Sequence, residues 1–334
     1  MNAKFVVEYL KRCNAELGKL SVNPWQRLCL WIDFAGCTLK HGCIINHYCR
    51  GGLYAVKGIE RKNMLTYSRF LKLMNACNDR EAIGMLNSKH VFNAHFSEFV
   101  KRSWLYSKEM TFEQFSRLYK GDFDLILKPE DGVEGNGVRK LTLTERKGHF
   151  DDEAYLKQEF EKCKDENIMI EECLVQHPNM VFGNASVNTI RVHSIMDKEG
   201  NVKIFKPLLR AGVGNSVVDN YCHGGCVYEL HPETGHIISP SLKKDGSAVY
   251  VHPQTEIFMI GRQIPNWEMV RECVKKAHKT ATPPHNKLKC RLIGWDVAVL
   301  PDRVELIEGN HNPDYELLEF FGKKGWWKEL KKYM

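Results

Sequence analysis

The stretch GWDVAVLPDRVELIEGNHNP, residues 294 to 313, has the alternation of a β-hairpin but carries an acid inside an apolar run. Alternation extends from residue 293 to 300 and from 304 to 308, and Pro301 begins turn-forming sequence between the two runs. With a turn at residues 301 to 303, Asp296 lies directly opposite Glu308, and Asn310 falls on the same face two residues later.

Two carboxylates in directly opposite positions destabilise a pair of strands. A divalent cation between them removes this penalty, because Asp, Glu and Asn supply the hard oxygen ligands that Mg²⁺ prefers. The pattern also fits a register shifted by one residue, in which one acid faces solvent and the other pairs with Arg303 or a lysine. The hairpin alone leaves both readings open.

Composition describes an ordinary globular chain of 334 residues, with 43% hydrophobic and 27% charged residues. This length is sufficient for two or three lobes. The net charge is +7, and the lysines are spread along the sequence without a basic stripe, which favours small anionic substrates over nucleic acid. The N-terminus has helical spacing in place of a secretory signal, and no apolar run reaches transmembrane length. We therefore expect a cytoplasmic protein with no transmembrane segment.

The organisation along the chain is α+β. Residues 1 to 88 have the spacing of helices joined by short turns, and strands dominate from residue 123 onward. The turn sequences DKEGN and HPETGH favour antiparallel hairpins over a doubly wound parallel sheet. We expect an N-terminal helical region at 1–88, a first lobe at 89–175 and a second lobe at 176–334. A C-terminal helix should dock Trp326 or Trp327 on the protein body.

The segment LILKPEDGVEGNGVRKL, residues 125 to 141, resembles a phosphate cradle. A strand delivers Lys128, and glycines at 132, 135 and 137 precede a second strand. Glycines let backbone N–H groups approach an anion, and the lysine adds a fixed positive charge. The residues after Gly137 do not fit a Walker A motif, so a glycine-rich lid fits better. A plain glycine-rich turn with an incidental lysine is the alternative.

Two further segments carry polar groups suited to a nucleotide. The strand IMIEECLVQ ends near Glu171 and Glu172, where backbone groups and a carboxylate could serve an adenine edge and ribose hydroxyls. Arg191 and Arg210 interrupt apolar alternation on two neighbouring strands. Such arginines usually face solvent, but together with Asn188 they would clamp a phosphoryl group bidentately.

Taken in order, the segments LILKPEDGVEGNGV, IEECLVQHP, VNTIRVHSI, LLRAGVGNSVVDNYCHGG, IGWDVAVL and LIEGNHNP resemble the ATP-grasp superfamily. The resemblance is closer to its sugar-transfer-associated members, found with polysaccharide and glycan biosynthesis, and covers roughly residues 85 to 320. It implies an ATP-grasp fold, in which two α+β lobes sandwich ATP, behind the N-terminal helical region. It also implies ATP and Mg²⁺ as cofactors.

Site residues carry over position by position. The nucleotide-binding positions are Lys89, Lys128, Gly135, Asn136, Gly137, Glu171, Glu172, Cys173 and Leu174. Among them, Lys128 would contact the α- and β-phosphates, Gly135 to Gly137 would form the lid, and Glu171 to Leu174 the adenine and ribose hinge. The positions beside the γ-phosphate, the acyl phosphate or the acceptor are Arg191, Arg210, Asn220 and His223. The Mg²⁺ ligands are Asp296, Glu308 and Asn310.

The resemblance implies a ligase that forms an amide through an acyl phosphate. The expected substrates are a carboxylated sugar or cell-envelope glycan intermediate and an amine or amino acid, as small molecules or glycan-linked groups. Association with glycan-biosynthesis enzymes is a further expectation. A kinase that phosphorylates a hydroxyl would use the same nucleotide site, and a scaffold that binds nucleotide without turnover is a third alternative.

Overall fold

The computed structural model describes residues 3–132, 136–183, 187–214, 225–242, 248–283, 289–313 and 325–334. Chain contacts divide the described residues into two compact units. The first takes in those of Met1–Asp79, Leu242–Ser247 and Asn312–Met334, and the second those of Arg80–Ser241 and Ala248–His311. Both predicted lobes draw their strands from the second unit, and their boundaries at residues 88 and 175 stay a prediction.

The first unit is helical, as its apolar spacing predicts. Its helices are α1 (Ala3–Leu20), α2 (Pro24–His41), α3 (Ile45–Arg50), α4 (Gly58–Asn63) and α5 (Tyr67–Cys77). Asn23 caps α2 by accepting a hydrogen bond from the amide of Gln26, and Pro24 occupies the first helical position. Gly42 ends α2 at φ 66°, the left-handed conformation that glycine adopts at low cost.

The core of this unit forms on the inner face of α2. Phe34 and Cys37 pack there with Leu17 and Tyr48. On the flank of α2, Asp33 accepts hydrogen bonds from Arg61 and from the Tyr48 hydroxyl, which fixes α4 beside α2. Because the inner face is buried and the ends are capped, α2 is a firmly held helix.

The second unit begins with helices and a four-stranded sheet. The other α-helices among the described residues are α6 (Lys89–His95), α7 (Phe112–Tyr119), α8 (Leu143–Lys147), α9 (Glu153–Glu166), α10 (Trp267–Ala281) and, in the first unit, α11 (Trp327–Leu330). The first sheet contains β1 (Trp104–Tyr106), β2 (Leu125–Pro129), β3 (Arg139–Leu141) and β4 (Ile168–Glu172) in the order β1-β4-β2-β3. Every pair is antiparallel, and residues of α7 and α9 cover one face.

The docking predicted for the C-terminal tryptophans is confirmed for Trp327. The Arg69 guanidinium lies 5.5 Å from the Trp327 ring centre. The backbone amide of Lys328 also donates to the Asn63 side chain at 2.5 Å. The C-terminal helix α11 is therefore part of the first unit.

A five-stranded antiparallel sheet completes the second unit. Its strands are β5 (Thr189–Met196), β6 (Val202–Ala211), β7 (Cys226–Glu229), β10 (Leu292–Val299) and β11 (Val304–Asn310), in the order β11-β10-β5-β6-β7. Two short strands, β8 (Ser241–Leu242) and β9 (Ala248–Val249), lie between β7 and β10 in the chain. Alternation sends Ile190 and Val192 of β5 into the core under α10, which leaves Arg191 on the opposite face.

These observations confirm the predicted α+β class and both hairpins. At DKEGN, the Asp197 amide donates to the Asn201 carbonyl at 3.0 Å. At HPETGH, the His231 amide donates to the His236 carbonyl at 2.8 Å. Turn chemistry therefore set the antiparallel topology.

One buried arginine joins the two sheets of the second unit. Arg102 precedes β1, is 3% exposed, and donates from Nε to Glu171 Oε2 on β4 at 3.0 Å. Its Nη1 donates to the Leu306 carbonyl on β11 at 2.7 Å, and its backbone amide donates to Glu305 Oε2 at 3.0 Å. A single guanidinium thus fixes β4 relative to β11.

We expect Arg102→Met to lower the free energy of unfolding by about 3 to 5 kcal/mol, because it removes a buried cation that neutralises Glu171 and Glu305 and leaves the hydrogen bonds of Glu171 to it unmade. Urea denaturation followed by circular dichroism measures this change. Lys101→Met is the matched control, since the neighbouring Lys101 is exposed. Equal stability of the two variants would contradict the assigned role of Arg102.

A buried histidine stabilises the back of the five-stranded sheet. His278 of α10 lies 2.6 Å from Ser194 Oγ through Nδ1, and Trp295 Nε1 donates to the same hydroxyl at 2.8 Å. Burial lowers the pKa of His278 to about 3. The histidine is therefore neutral in the folded protein at neutral pH.

Because the unfolded chain takes up this proton near the ordinary histidine pKa, stability should fall as pH drops from about 6.5 toward 3. We expect His278→Asn to reduce the slope of unfolding free energy against pH in that window by up to about 1.4 kcal/mol per pH unit. Urea titrations at several pH values between these limits test it. An unchanged slope would show that His278 already binds a proton in the folded state.

Candidate active site

The quoted hairpin brings Asp296 and Glu308 together through a β-bulge. Near the turn, Val299 pairs with Val304 and Val297 with Leu306, a register one residue away from the predicted one. The register then shifts between Asp296 and Val297, so that Asp296 pairs with Glu308. The predicted pairing is confirmed, but the turn register behind it was wrong. The extra residue on β11 restores the pair.

Two arginines bind the carboxylate of Asp296. Arg191, its cross-strand neighbour on β5, donates from Nε to Oδ1 at 2.5 Å and from Nη2 to Oδ2 at 3.0 Å. Arg210 of β6 donates from Nη1 to Oδ2 at 2.9 Å. Burial raises the pKa of Asp296, but the two arginines outweigh burial and hold it well below its ordinary value. The structure thus brings together both predicted arginines and the first predicted metal ligand.

Glu308 is the more open of the two acids, with its side chain 46% exposed. The Asn310 side-chain amide donates to Glu308 Oε1 at 3.1 Å, and Arg191 Nη2 lies 3.9 Å from the same oxygen. Desolvation by the surrounding protein and then the negative charge of Asp296 raise the pKa of Glu308. A raised pKa means that Glu308 binds a proton more strongly than an isolated carboxylate does.

The donor chemistry of this cluster fits Mg²⁺. Asp296, Glu308 and Asn310 offer carboxylate and amide oxygens, and an ion that keeps several waters needs only one or two carboxylates beside substrate phosphates. In the described part of the chain, no group of three His, Cys, Asp or Glu side chains could hold a metal ion. A site made of two acids and an amide is consistent with that finding. The assignment of these three residues as ligands stays a prediction.

Lys128 projects from β2 and is held by an acid on the neighbouring strand. Its Nζ lies 2.8 Å from Glu171 Oε2. Glu171 also accepts from Arg102 and, at 2.8 Å, from the Asn93 side chain. Burial raises the pKa of Glu171, but Arg102 and Lys128 outweigh it and hold the pKa well below the ordinary value. Glu171 therefore positions Lys128, and its place in the adenine and ribose hinge stays a prediction.

Lys89, the first residue of α6, lies at the base of the glycine-rich segment. Its Nζ donates to the Glu130 carbonyl at 2.6 Å and to the Gly132 carbonyl at 2.9 Å. Burial and then the positive charge of Lys128 lower the pKa of Lys89, while Glu130 and Glu308 act in the opposite direction. Lys89 thus lies close enough to Lys128 and Glu308 for their charges to affect its pKa.

The glycine-rich segment closes on Pro129. Gly137 has φ 76°, and a Cβ there would lie 2.8 Å from the Pro129 ring, so glycine is required at this position. The Asn136 carbonyl lies 3.3 Å from the place of a Cβ on Gly132, which brings the two described ends of the segment together. Predicted Gly135 lies outside the described residues, as do Asn220 and His223.

The predicted hinge spans the last two residues of β4 and the two residues after it. Glu172 Oε2 accepts from the Ser103 amide at 3.0 Å, and the Cys173 amide donates to the Asp124 carbonyl at 2.8 Å. Leu174 packs beside Ala298 and Leu300. The structure therefore holds these residues beside the Lys128 strand, and the adenine and ribose contacts of Glu172, Cys173 and Leu174 stay predictions.

Sequence reasoning missed Arg102, Asn93 and Glu305, which support the site without lying in any recognisable motif. Glu305 is fully buried, and its carboxylate accepts from the amides of Lys101 and Arg102 and from Arg303 Nε. The only signal in the sequence was Glu305, an acid within the alternation of β11, and its position resembled that of an ordinary solvent-facing residue.

Solved structures of ATP-grasp proteins are similar to this chain at low identity. The D-alanine-D-alanine ligase from Helicobacter pylori is 13% identical with a TM-score of 0.43, covering 77% of this chain and 64% of that one. The ATP-grasp ligase PsnB with a phosphomimetic precursor variant, Mg and ADP is 14% identical with a TM-score of 0.39, covering 73% of this chain and 56% of that one. The N5-carboxyaminoimidazole synthetase from Staphylococcus aureus with ADP is 9% identical with a TM-score of 0.41, covering 70% of this chain and 46% of that one. The chain spans less than two thirds of each of these proteins.

No curated protein matches the sequence. A family model described as sugar-transfer associated ATP-grasp matches residues 71–333, and the predicted ATP-grasp-like α+β fold with N-terminal helices is confirmed. Because this match covers most of the sequence, the chain belongs to the sugar-transfer associated ATP-grasp family.

Proposed function

We propose that the protein is an ATP- and Mg²⁺-dependent ligase that forms an amide through an acyl phosphate. Its substrates are a carboxylated sugar or cell-envelope glycan intermediate and an amine or amino acid. The family typically uses ATP and Mg²⁺ and commonly contains carboxylate-amine ligases. The observation that carries the proposal is the cluster of Asp296, Glu308 and Asn310 with Arg191 and Arg210, in the same compact unit as Lys128.

The main barrier to this reaction is the repulsion between the negative charges of ATP and the substrate carboxylate. A substrate carboxylate oxygen attacks the γ-phosphorus of ATP and ADP leaves, and the amine then attacks the acyl carbon while phosphate leaves and the nitrogen loses a proton. Both steps gather several negative charges, so fixed cations lower the barrier. Mg²⁺ held by Asp296, Glu308 and Asn310 would offset phosphate charge when bound.

The chain supplies its own cations in fixed positions. Glu171 holds Lys128, which is therefore ready for the phosphates without losing side-chain freedom on binding. Asp296 orients Arg191 and Arg210, whose positive charges offset that of the γ-phosphate or the acyl phosphate in this proposal. Lys89 holds the root of the lid through two backbone carbonyls.

Hydroxylamine tests the proposed chemistry. The full-length protein is incubated with Mg-ATP and a panel of uronic acids, amino acids and amines while ADP release is measured. A ligase should release ADP only with a carboxylate present and should form an acyl hydroxamate with hydroxylamine. A stable phosphorylated product would overturn the proposal in favour of a kinase. Nucleotide binding without ADP release across the panel would favour a scaffold and count against it.

We expect Asp296→Asn to reduce ADP release by at least about 10²-fold, because it weakens both the arginine clamp and the metal site. Glu308→Gln should act in the same direction and, being partly exposed, should retain the fold. Asp302→Asn is the matched control, since Asp302 lies in the turn of the same hairpin with its side chain 73% exposed.

Thermal unfolding by circular dichroism checks that each variant is folded, and Mg-ADP should raise the melting temperature of the native protein and of Asp302→Asn more than that of Glu308→Gln. Native rates of ADP release in both Asp296→Asn and Glu308→Gln would remove the metal and arginine cluster from the mechanism.

A further inference from the structure

The outer surface of α2 is apolar along the whole helix. Its residues, here called the α2 apolar face, are Trp25, Leu28, Cys29, Ile32, Ala35, Gly36 and Leu39. Successive residues of a helix are rotated by about 100°, so these seven occupy an arc of about 120°. None of them is charged or carries an amide or carboxylate. The helix therefore presents one continuous strip without polar side chains.

This strip is open to solvent in the folded chain. Trp25 is 72% exposed, Ile32 66% and Leu39 87%. The core of the first unit forms on the other side of the helix, around Phe34 and Cys37. Core packing therefore does not explain the outer residues, and an apolar strip of this length on a well-capped helix marks a surface for a partner.

The unit that carries this face also carries the charge of the protein. Residues 1–79 contain 12 Lys or Arg and 5 Asp or Glu, a net +7 that equals the net charge of the whole chain. The remaining residues are balanced. Many of the bases are exposed, namely Lys4, Lys11, Arg12, Lys19, Lys40, Lys57 and Lys62. The partner of this unit should therefore be anionic.

Bases also flank the apolar face itself. Lys40 directly follows Leu39 at one end of α2. Along one side, Nζ of Lys57, the residue before α4, lies 3.0 Å from Oδ1 of Asp33, which is adjacent to Ile32. Close to Lys57, Ile59 adds a side chain that is 83% exposed. Apolar residues bordered by lysines suit the boundary between acyl chains and headgroups.

We propose that the α2 apolar face docks the protein on an anionic membrane surface. The apolar strip enters the acyl boundary, Trp25 lies at the level of the headgroups, and the flanking lysines meet anionic lipids. No helix in the described ranges is long and apolar enough to cross a membrane. No residue of the proposed nucleotide site takes part.

A second copy of the chain fits this face less well. Two copies meeting through α2 would bring together two copies of residues 1–79, each with a net charge of +7, and like charges oppose such an assembly. A bilayer supplies both an apolar interior and the opposite charge.

Vesicle sedimentation of the full chain tests the proposal. It should bind vesicles of phosphatidylcholine with about 30% phosphatidylglycerol at least about tenfold more tightly than phosphatidylcholine alone, and added salt should weaken binding. Ile32→Ser and Leu39→Ser should each weaken binding by roughly tenfold, since each removes a large apolar side chain from the contact. Ile238→Ser is the matched control, because Ile238 is 48% exposed and lies in the second unit.

Cys29 gives an independent readout, since its exposed thiol lies within the face. An environment-sensitive fluorophore on Cys29 should shift its emission to the blue on anionic vesicles and become protected from an aqueous quencher. Labelled Cys29→Ser protein reports any signal from other cysteines.

Failure to bind anionic vesicles, or an unchanged Cys29 signal when bound, would overturn the proposal. A dimer in sedimentation velocity that Ile32→Ser converts to monomer, without vesicle binding, would replace the membrane by a second copy.

Thermal stabilisation by Mg-ADP should be equal in the native protein and in Ile32→Ser. This comparison separates failure of the membrane proposal from failure of the proposed ATP chemistry.

Discussion

The second unit depends on the mutual neutralisation of buried charges. Arg102 connects Glu171 on one sheet with Glu305 and the backbone of β11 on the other. An isolated buried charge is very costly, so these groups are stable only when all are in place. The requirement fixes β4 and β11 relative to one another. Through β4 it also fixes Lys128, and through β11 the strand that carries Glu308.

Pairs of opposite charges also lie at the centre of the candidate site. Asp296 holds two arginines, and Glu171 holds one lysine, so three of the cations that the proposal places near the phosphates are already oriented by an acid. Such pairs preorganise positive charge, and they spare the protein the cost of ordering long side chains when substrate binds. Glu308, partly exposed and with a raised pKa, is the acid whose charge is least well compensated.

Sequence reasoning reached the right pairing in the hairpin despite a wrong register at the turn. Turn residues and alternation identify two strands and their approximate offset, but a β-bulge adds one residue without any distinctive sequence signal. What the sequence predicts about Glu171 is similarly limited. Its position at the end of a strand is readable from the sequence, whereas the direction of its carboxylate depends on Arg102, Asn93 and Lys128.

The sequence by itself determined the α+β class, the antiparallel hairpins, the family and the residue types of the candidate site, because alternation, turn chemistry and ordered motifs are local properties. Only the tertiary structure decided which groups those residues meet. Arg102 finds Glu171 69 positions away and Glu305 203 positions away, and no local pattern encodes such distances. Buried charges must be neutralised, but the packing of whole sheets determines which groups become their partners.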